Sequence, residues 1–577
     1  MDIRRNFLFF GLVLAVFSFA EPLPRLFSAR INQVGYELPG LKLLVWPGTD
    51  SGKVELKNVK NGKTAFSVPL SSLAEWEFSG ESVRVADFSK FEEPGTYIAY
   101  LNDRRISGNI FIRKGVYEDV FRSSLKWFYY QRASTPLEGE FAGRFARLAG
   151  HPDTNVLFYP PEENPAFRIS SPKGWYDAGD YGKYIVNSGI TVFTLLQLYE
   201  HFPAAAAKFK TNIPESKNAT PDLLDEVRWN LDWMLTMQAE DGGVYHKLTT
   251  QQFSGPVLPE FDTAERFVVM KSTAAALNFA AVMAQAARVY RSYDNAFSKK
   301  SLAAAERAYA WAEKNPLIAY KQPDGMNTGQ YNADQKFTDE ELWASAELLA
   351  ATKNKKYRDA VERLTFTSEG AWWGNSNFLA VYRLASMPSV FGKEKSAAAK
   401  DSLLVQANML REQMETSAYR LPVFKWNFVW GSNSAVANNG IVLLNAYYLT
   451  QDVRYLNAAQ RALDYLLGSN PMEISFVTGA GARSPRNPHH RPSEGDDIDD
   501  PVPGALVGGP HAGKQDVGTE HWKCKDYAAS GFPAVSYVDD RCSYATNEVA
   551  INWNAPLVYL SGALHFLYTG ERKPLLK

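Results

Sequence analysis

Cysteine is nearly missing from this sequence of 577 residues, in which Cys524 and Cys542 are the only two. Without a Cys-x-x-Cys pair there is no case for a structural zinc site. Two cysteines eighteen positions apart read as one disulfide in an exported protein, or else as two buried thiols. Excess charge is missing too: 62 basic and 63 acidic residues leave a net charge of -1. That gives no electrostatic footprint for nucleic acid or an anionic membrane, and a neutral partner is the easier inference. Beyond the N-terminus no apolar run is long enough to span a bilayer. Repeats and low-complexity tracts are also absent.

What is present begins with Arg4 and Arg5, followed by an apolar run from Phe7 to Phe19 with small residues at Ser18 and Ala20. This pattern predicts a signal peptide over 1–20 and a secreted or periplasmic protein without membrane insertion. Residues 21–115 carry short β-rich runs: Lys42 to Trp46, Lys53 to Leu56, Ser82 to Val85, Thr96 to Tyr100 and Gly108 to Ile112. Turn signals lie between them at Lys60-Asn61-Gly62-Lys63 and Glu93-Pro94-Gly95-Thr96, and together they predict an immunoglobulin-like β-sandwich.

Over 116–577 the apolar period becomes helical. Eleven helices are predicted, among them Tyr184 to His201, Val268 to Tyr293, Asp339 to Ala351 and Pro556 to Tyr568, which approaches the twelve of an (α/α)6 barrel. From Gly468 to Asn554 the period fails, and a stretch so long without periodicity is expected to be functional. Aromatic residues make up 13% of the chain, which suits a protein that lines a long surface with partly wet rings.

The chemistry concentrates in Gly174-Trp175-Tyr176-Asp177-Ala178-Gly179-Asp180-Tyr181-Gly182-Lys183. Glycines that permit turns would let Asp177 and Asp180 aim into one cleft, with Trp175, Tyr176 and Tyr181 as flat walls. Alternatively an Asp caps the helix that begins at Tyr184. In the irregular segment, Gly479-Ala480-Gly481-Ala482-Arg483 leads through Asn487-Pro488 to His489-His490-Arg491. Tyr537-Val538-Asp539-Asp540 then precedes Tyr544-Ala545-Thr546-Asn547-Glu548-Val549.

Together these three stretches resemble the signatures of glycoside hydrolase family 9, the inverting cellulases. Arg30-Ile31-Asn32-Gln33-Val34-Gly35-Tyr36 and Pro94-Gly95-Thr96-Tyr97 look like the immunoglobulin-like module of one branch of that family. The resemblance implies Glu548 as general acid, Asp180 as the base that activates water and Asp177 as its support. It implies His489 and Arg491 as ligands to the sugar at the cleavage point, with Asp539 orienting the group. An acid that must hold its proton near neutral pH should sit in a desolvated setting, which Tyr544, Val549 and Trp553 could supply. Tyr245, His246 and Trp430 are candidate platforms for the C–H faces of glucose, and Tyr544 and Trp553 are further candidates for substrate binding.

Departures from the family pattern limit the carry-over. Asp339 and Glu340, ahead of Trp343, resemble part of a structural calcium site, but Gln335 and Lys336 do not match its Ser-Gly ligands. The zinc site of the immunoglobulin-bearing branch needs cysteines where this chain has Ala133, Asp153 and Thr154, so zinc is not expected. Trp553 stands where the family commonly has Tyr. No cofactor is required, and a monomer is expected. The activity implied is endo-cleavage of internal β-1,4-glucosidic bonds in cellulose and related β-glucans, by single displacement with inversion. Exo-action as a cellobiohydrolase or cellodextrin glucosidase is the alternative. A non-catalytic carbohydrate-binding protein is disfavoured by the presence of Asp177, Asp180 and Glu548 together.

Overall fold

The structure, a computed structural model, describes residues 29–331, 336–519 and 523–570. The expected signal peptide lies outside the described residues. The first domain is built from seven strands: β1 (Leu43–Pro47), β2 (Lys53–Asn58), β3 (Thr64–Pro69), β4 (Ala74–Trp76), β5 (Glu81–Asp87), β6 (Gly95–Leu101) and β7 (Arg104–Ile112). One antiparallel sheet runs β1-β5-β4, the other β3-β2-β6-β7. Strand β6 shows why they pair: Tyr97, Ala99 and Leu101 point inward while their neighbours face out. Inside, Leu44, Trp46, Val54, Leu56, Phe88, Tyr97, Ile110 and Ile112 form one core. Asn102 and Asp103, with φ of 49° and 60°, make the tight β6–β7 turn whose two left-handed positions suit the twist of a hairpin. The sequence pattern missed β3 and β4 because β3 is an edge strand that buries almost nothing and β4 has only three residues.

Among the described residues of the second domain, twelve helices have nine or more residues. They are α1 (Glu118–Tyr130), α2 (Ile185–His201), α3 (Asp222–Thr236), α4 (Thr273–Val289), α5 (Asn295–Lys314), α6 (Thr338–Thr352), α7 (Lys355–Arg363), α8 (Asn377–Ser386), α9 (Lys393–Thr416), α10 (Ser432–Thr450), α11 (Val453–Leu466) and α12 (Ile551–Thr569). The even-numbered helices touch in the order α10, α12, α2, α4, α6, α8, and each packs against an odd-numbered helix on its flank. Burial follows this order. All of α4 except Arg288 is buried, whereas α9 buries only one stripe. Helix α4 begins later than its apolar pattern suggests because Ser272 caps it, its hydroxyl accepting the Ala275 N–H at 3.1 Å. The helix missed from sequence, α8, buries nine of its ten residues, so no polar face marks its period.

The sandwich is fastened to the helices by buried polar contacts. Arg30, almost fully enclosed, pairs with Glu81 at 2.9 Å within the sandwich and with Glu473 at 3.0 Å across the junction. Asn32 donates to Asp464 at 2.8 Å, and Trp76 packs on Tyr419 with centroids 4.5 Å apart. The Phe78 carbonyl accepts the Ala534 N–H at 2.9 Å. A groove of about 1110 Å³ also opens at this junction, lined by Ile31, Phe111, Arg113 and Arg483, away from the acidic residues.

Candidate active site

The acidic residues singled out from sequence lie in segments that enter even-numbered helices: 174–184 enters α2 and 467–550 enters α12. Trp430 enters α10, and Tyr331 stands in the loop ahead of α6. A small sheet secures the first of these segments, where Lys183 and Tyr184 pair antiparallel with Leu248 and Lys247.

Asp177 is buried, and both its oxygens are used. Oδ1 accepts Asn187 Nδ2 at 2.6 Å, and Oδ2 accepts the Tyr331 hydroxyl. Burial, with the Asp180 carboxylate beside it, pushes Asp177 up to about 8 against the pull of those two donors. Asp180 is held differently. Its Oδ2 accepts the Gly182 N–H at 2.9 Å and the Tyr184 hydroxyl at 3.2 Å, which leaves Oδ1 without a partner among the described residues. Neither Asp caps α2, whose N-cap is Tyr184 and carries no side-chain cap.

The glycines act by yielding space. A Cβ on Gly179 would lie 2.3 Å from the His489 carbonyl oxygen, and one on Gly182 would lie 2.5 Å from the Tyr184 hydroxyl. Only Gly174 in this stretch has a left-handed φ, +85°. The close approach at Gly179 brings the distant segment in. Arg491 N–H donates to the Gly179 carbonyl at 3.0 Å, and the Gly179 N–H points at the Glu548 carboxylate. His489 N–H donates to the Asn547 carbonyl at 2.9 Å, and Ile551 N–H donates to that of Asp177 at 2.8 Å.

Glu548 is partly exposed, with protein packed around most of it. Burial, and then Asp180 and Asp177, push its carboxyl up to about 8, while Arg491 pulls the other way. The segment before it is braced by Asp539, which accepts the N–H groups of Arg486 at 2.8 Å and Asn487 at 2.9 Å, and Asn547 Nδ2 at 3.1 Å. Asp539 thus ties the His489 loop to the residue before Glu548. Asp516 braces the other side, accepting Ser543 Oγ at 2.7 Å and the Ala545 N–H at 2.9 Å. Cys524 and Cys542 are joined in a disulfide within the same region.

His489 is neutral, because burial and the adjacent Arg491 push it down to about 3. Its Nδ1–H donates to the Arg541 carbonyl at 2.7 Å, so Nε2 accepts from Arg491 Nη1 at 3.0 Å. Both ring nitrogens are engaged within the protein, so that His489 steadies Arg491. Arg491 Nε donates to the Ser254 carbonyl at 3.2 Å, and its Nη2 has no partner among the described residues.

Other expectations also change. Trp175, Tyr176 and Tyr181 are buried and present no open wall. Each has taken a polar partner inside: Glu226 at 2.8 Å for Trp175, His151 at 2.8 Å for Tyr176 and the Val257 carbonyl for Tyr181. His246 is no platform, since Ser272 and the Gln330 carbonyl hold its nitrogens at 2.8 and 2.7 Å and Tyr320 covers a face at 4.1 Å. Tyr245 is half-buried with its ring against Phe167 at 5.5 Å. Trp430 is half exposed; its Nε1 donates to the Tyr544 carbonyl at 3.1 Å, and its ring meets that of Tyr544 at 5.6 Å. Tyr544 in turn faces His489 at 6.4 Å. Trp553 lies beneath this platform, its Nε1 2.6 Å from where a Gly431 Cβ would be, so that only glycine fits there.

Asp339 is taken up by the Ser376 N–H at 2.7 Å and its hydroxyl at 3.1 Å. Gln335 lies outside the described residues, and among those described no cluster of three His, Cys, Asp or Glu could hold a metal. Where cysteines would be needed for zinc, Asp153 pairs with Lys183 at 2.8 Å and Arg266 at 3.1 Å.

Sequence reasoning missed Tyr331, Asn187, Tyr184 and Asp516. None of the four left a trace; even Asn187, in the first turn of α2, is followed by Ser188 and Gly189. Tyr331 continues outward to Trp373 at 4.9 Å and from there to Trp372 at 5.0 Å, an aromatic wall rising from Asp177.

A carboxyl that keeps its proton at neutral pH, near another with an oxygen left for water and with half-exposed aromatic rings in the same region, is the equipment of a glycoside hydrolase. The chain belongs to glycosyl hydrolase family 9, whose model matches residues 117–561, while that of the cellulase N-terminal ig-like domain matches 28–104. Inversion is the general mechanism of this family. A xyloglucan-specific endo-β-1,4-glucanase of Bacteroides ovatus is 41% identical over 569 residues, covering 94% of this chain and 94% of that protein. Endoglucanase D of Acetivibrio thermocellus is 35% identical over 499 residues, 84% of this chain and 76% of the relative. A solved structure described as Bacteroides ovatus GH9 superposes with a TM-score of 0.86 at 40% identity, covering 94% of this chain and 99% of that one.

Proposed function

We propose that the protein is an exported endo-β-1,4-glucanase whose cleft lies at one end of an (α/α)6 barrel. The observation that carries this reading is the contrast between the carboxyls: Glu548 is pushed up to about 8, while Asp180 keeps one oxygen without a partner among the described residues. Glu548 gives its proton to the glycosidic oxygen as the C–O bond breaks. A water held at Asp180 Oδ1 attacks the anomeric carbon from the opposite face and passes its proton to that carboxylate. Asp177 orients the site, and Arg491, steadied by His489, binds the ring at the cleavage point. No metal enters this chemistry. The basic, apolar and small residues of 1–20 and the Cys524–Cys542 bond support export.

A second reading concerns the substrate. The relative that is 41% identical over nearly the whole chain is described as xyloglucan-specific, which favours a branched β-1,4-glucan over bare cellulose. Proton NMR of products from cellohexaose and from xyloglucan oligosaccharides tests both readings, with the α-anomer expected first. On carboxymethylcellulose, viscosity should fall much faster than reducing ends accumulate. An initial β-anomer would sink the single displacement, and a viscosity that merely tracks reducing ends would sink endo-action.

A further inference from the structure

His489 is not the only group that holds the Arg491 side chain. Its Nε donates to the Ser254 carbonyl at 3.2 Å, and its guanidinium lies over the Phe253 ring, 5.8 Å from the centroid. Both partners belong to residues 251–262, a largely exposed strap whose regular structure is a single turn at Pro259–Phe261. An exposed strap positions nothing unless it is itself held. Asp262 holds this one at its neck. Its Oδ2 accepts the Ser254 hydroxyl, eight positions back, and the His151 Nε2–H at 3.2 Å, while its Oδ1 accepts the Ala264 N–H at 3.1 Å. His151 is fixed in turn, because its Nδ1 accepts the Tyr176 hydroxyl at 2.8 Å. Burial favours a neutral Asp262, but the bonds from His151, Ser254 and Ala264 hold it down to about 2, so it grips its donors as a carboxylate.

We propose that Asp262 is a positioning residue for the hydrolysis: by closing the strap on Ser254 it aims the carbonyl that fixes Arg491. The inference rests on the reading of the protein as a glucanase with Arg491 at the sugar and Glu548 as the acid. It adds a residue outside the stretches that resemble the family's signatures. Each link is a direct contact, from Asp262 to Ser254 and from Ser254 to Arg491. Ties at both Nε and Nη1 fix the plane of the guanidinium, whereas His489 alone would leave it free to swing about one bond. A shift of that head is felt at Glu548, which burial, Asp180 and Asp177 raise and which Arg491 and the Gly179 N–H lower.

The test compares Asp262→Ala and Ser254→Ala with the unaltered enzyme on cellohexaose. Each should lower kcat/KM roughly tenfold. The alkaline limb of the pH profile should also move up by about half a pH unit, because a displaced Arg491 no longer favours the ionised form of Glu548. A fault that only cost folded protein would lower the whole profile and leave that limb in place. Asp262→Asn, which keeps an oxygen for Ser254 and His151, should recover most of the loss. A limb that stays put in both alanine variants, or a loss in Asp262→Ala that Ser254→Ala does not share, would overturn the proposal. Where Asp262→Ala does not fold, the limb in Ser254→Ala decides alone. If the unaltered enzyme leaves cellohexaose intact, the glucanase reading fails on its own. A crystal structure of Ser254→Ala then decides: Arg491 Nε released from the carbonyl at position 254 would support the role of Asp262, and Nε still bonded there would overturn it.

Discussion

The two halves of the site are built on different principles. In the half that carries Asp177 and Asp180 the two carboxylates are held from within a few residues, by the Gly182 N–H, the Tyr184 hydroxyl and Asn187 in the first turn of α2, with Tyr331 the only long-range donor to either carboxylate among the described residues. The half that carries Glu548 is secured by a network spread over some sixty residues. Asp539 holds 486, 487 and 547, Asp516 holds 543 and 545, and a disulfide closes 524 to 542. Even the sandwich contributes, through the bond from Ala534 to Phe78. A carboxylate anchored at a helix start is placed by local structure. A carboxyl at the end of a long loop is placed only when every brace is present, which is the more fragile arrangement.

Removing the reacting groups erases the comparison, and this is where the largest effect is expected. Asp180→Asn and Glu548→Gln should each lower kcat on carboxymethylcellulose by about 10²- to 10⁴-fold, since each removes one proton transfer. Circular dichroism should be unchanged, and near-normal turnover in either variant would refute the role given to that residue. The next effect in size should separate the two halves. Asp516→Ala leaves two hydroxyls and a backbone N–H without their acceptor, at a cost of about 1–3 kcal/mol for the buried groups. Hydrogen exchange should quicken across 511–547 and stay slow across 175–187, with kcat lowered. Equal loosening of both stretches would mean that the halves are one cooperative unit.

The sequence made this contrast half visible. Asp177, Asp180, His489, Arg491 and Glu548 stood out because they lie in three short stretches that resemble a family's signatures. The helical period and the alternation of β6 were legible because burial imposes a pattern on neighbouring residues. What stayed hidden was contact across long separations. Tyr331 reaches Asp177 over 154 positions and Asp516 reaches Ser543 over 27, and neither leaves a local signal. The error about Trp175, Tyr176 and Tyr181 has the same origin: aromatic rings next to acidic residues suit a sugar site, but Glu226, His151 and Val257 gave each of them a buried polar partner instead. The glycines were noticed for the wrong reason, since the demand at Gly179 comes from the His489 carbonyl 310 residues away, not from its own dihedral.

The smallest expected effect concerns stability, and it tests the proton on Glu548 without any substrate. A carboxyl of ordinary pKa in the unfolded chain, about 4.3, is raised to about 8 in the folded protein. Below the lower value both states hold the proton, and the group has no influence on the pH dependence. Between the two values the folded state keeps a proton that the unfolded state has lost, so stability falls as pH rises through this window and levels off above about 8. Glu548→Gln removes the titration. Its melting temperature should match the parent near pH 4 and exceed it by an amount that grows toward pH 8, where a gain of about 1 °C for each kcal/mol is the expected scale for a chain of this length. Asp177→Asn should behave with the same sign, because burial raises that group to about 8 as well. A difference that is constant with pH, or that shrinks as pH rises, would show that Glu548 is ionised in the resting enzyme and would leave the cleft without its proton donor.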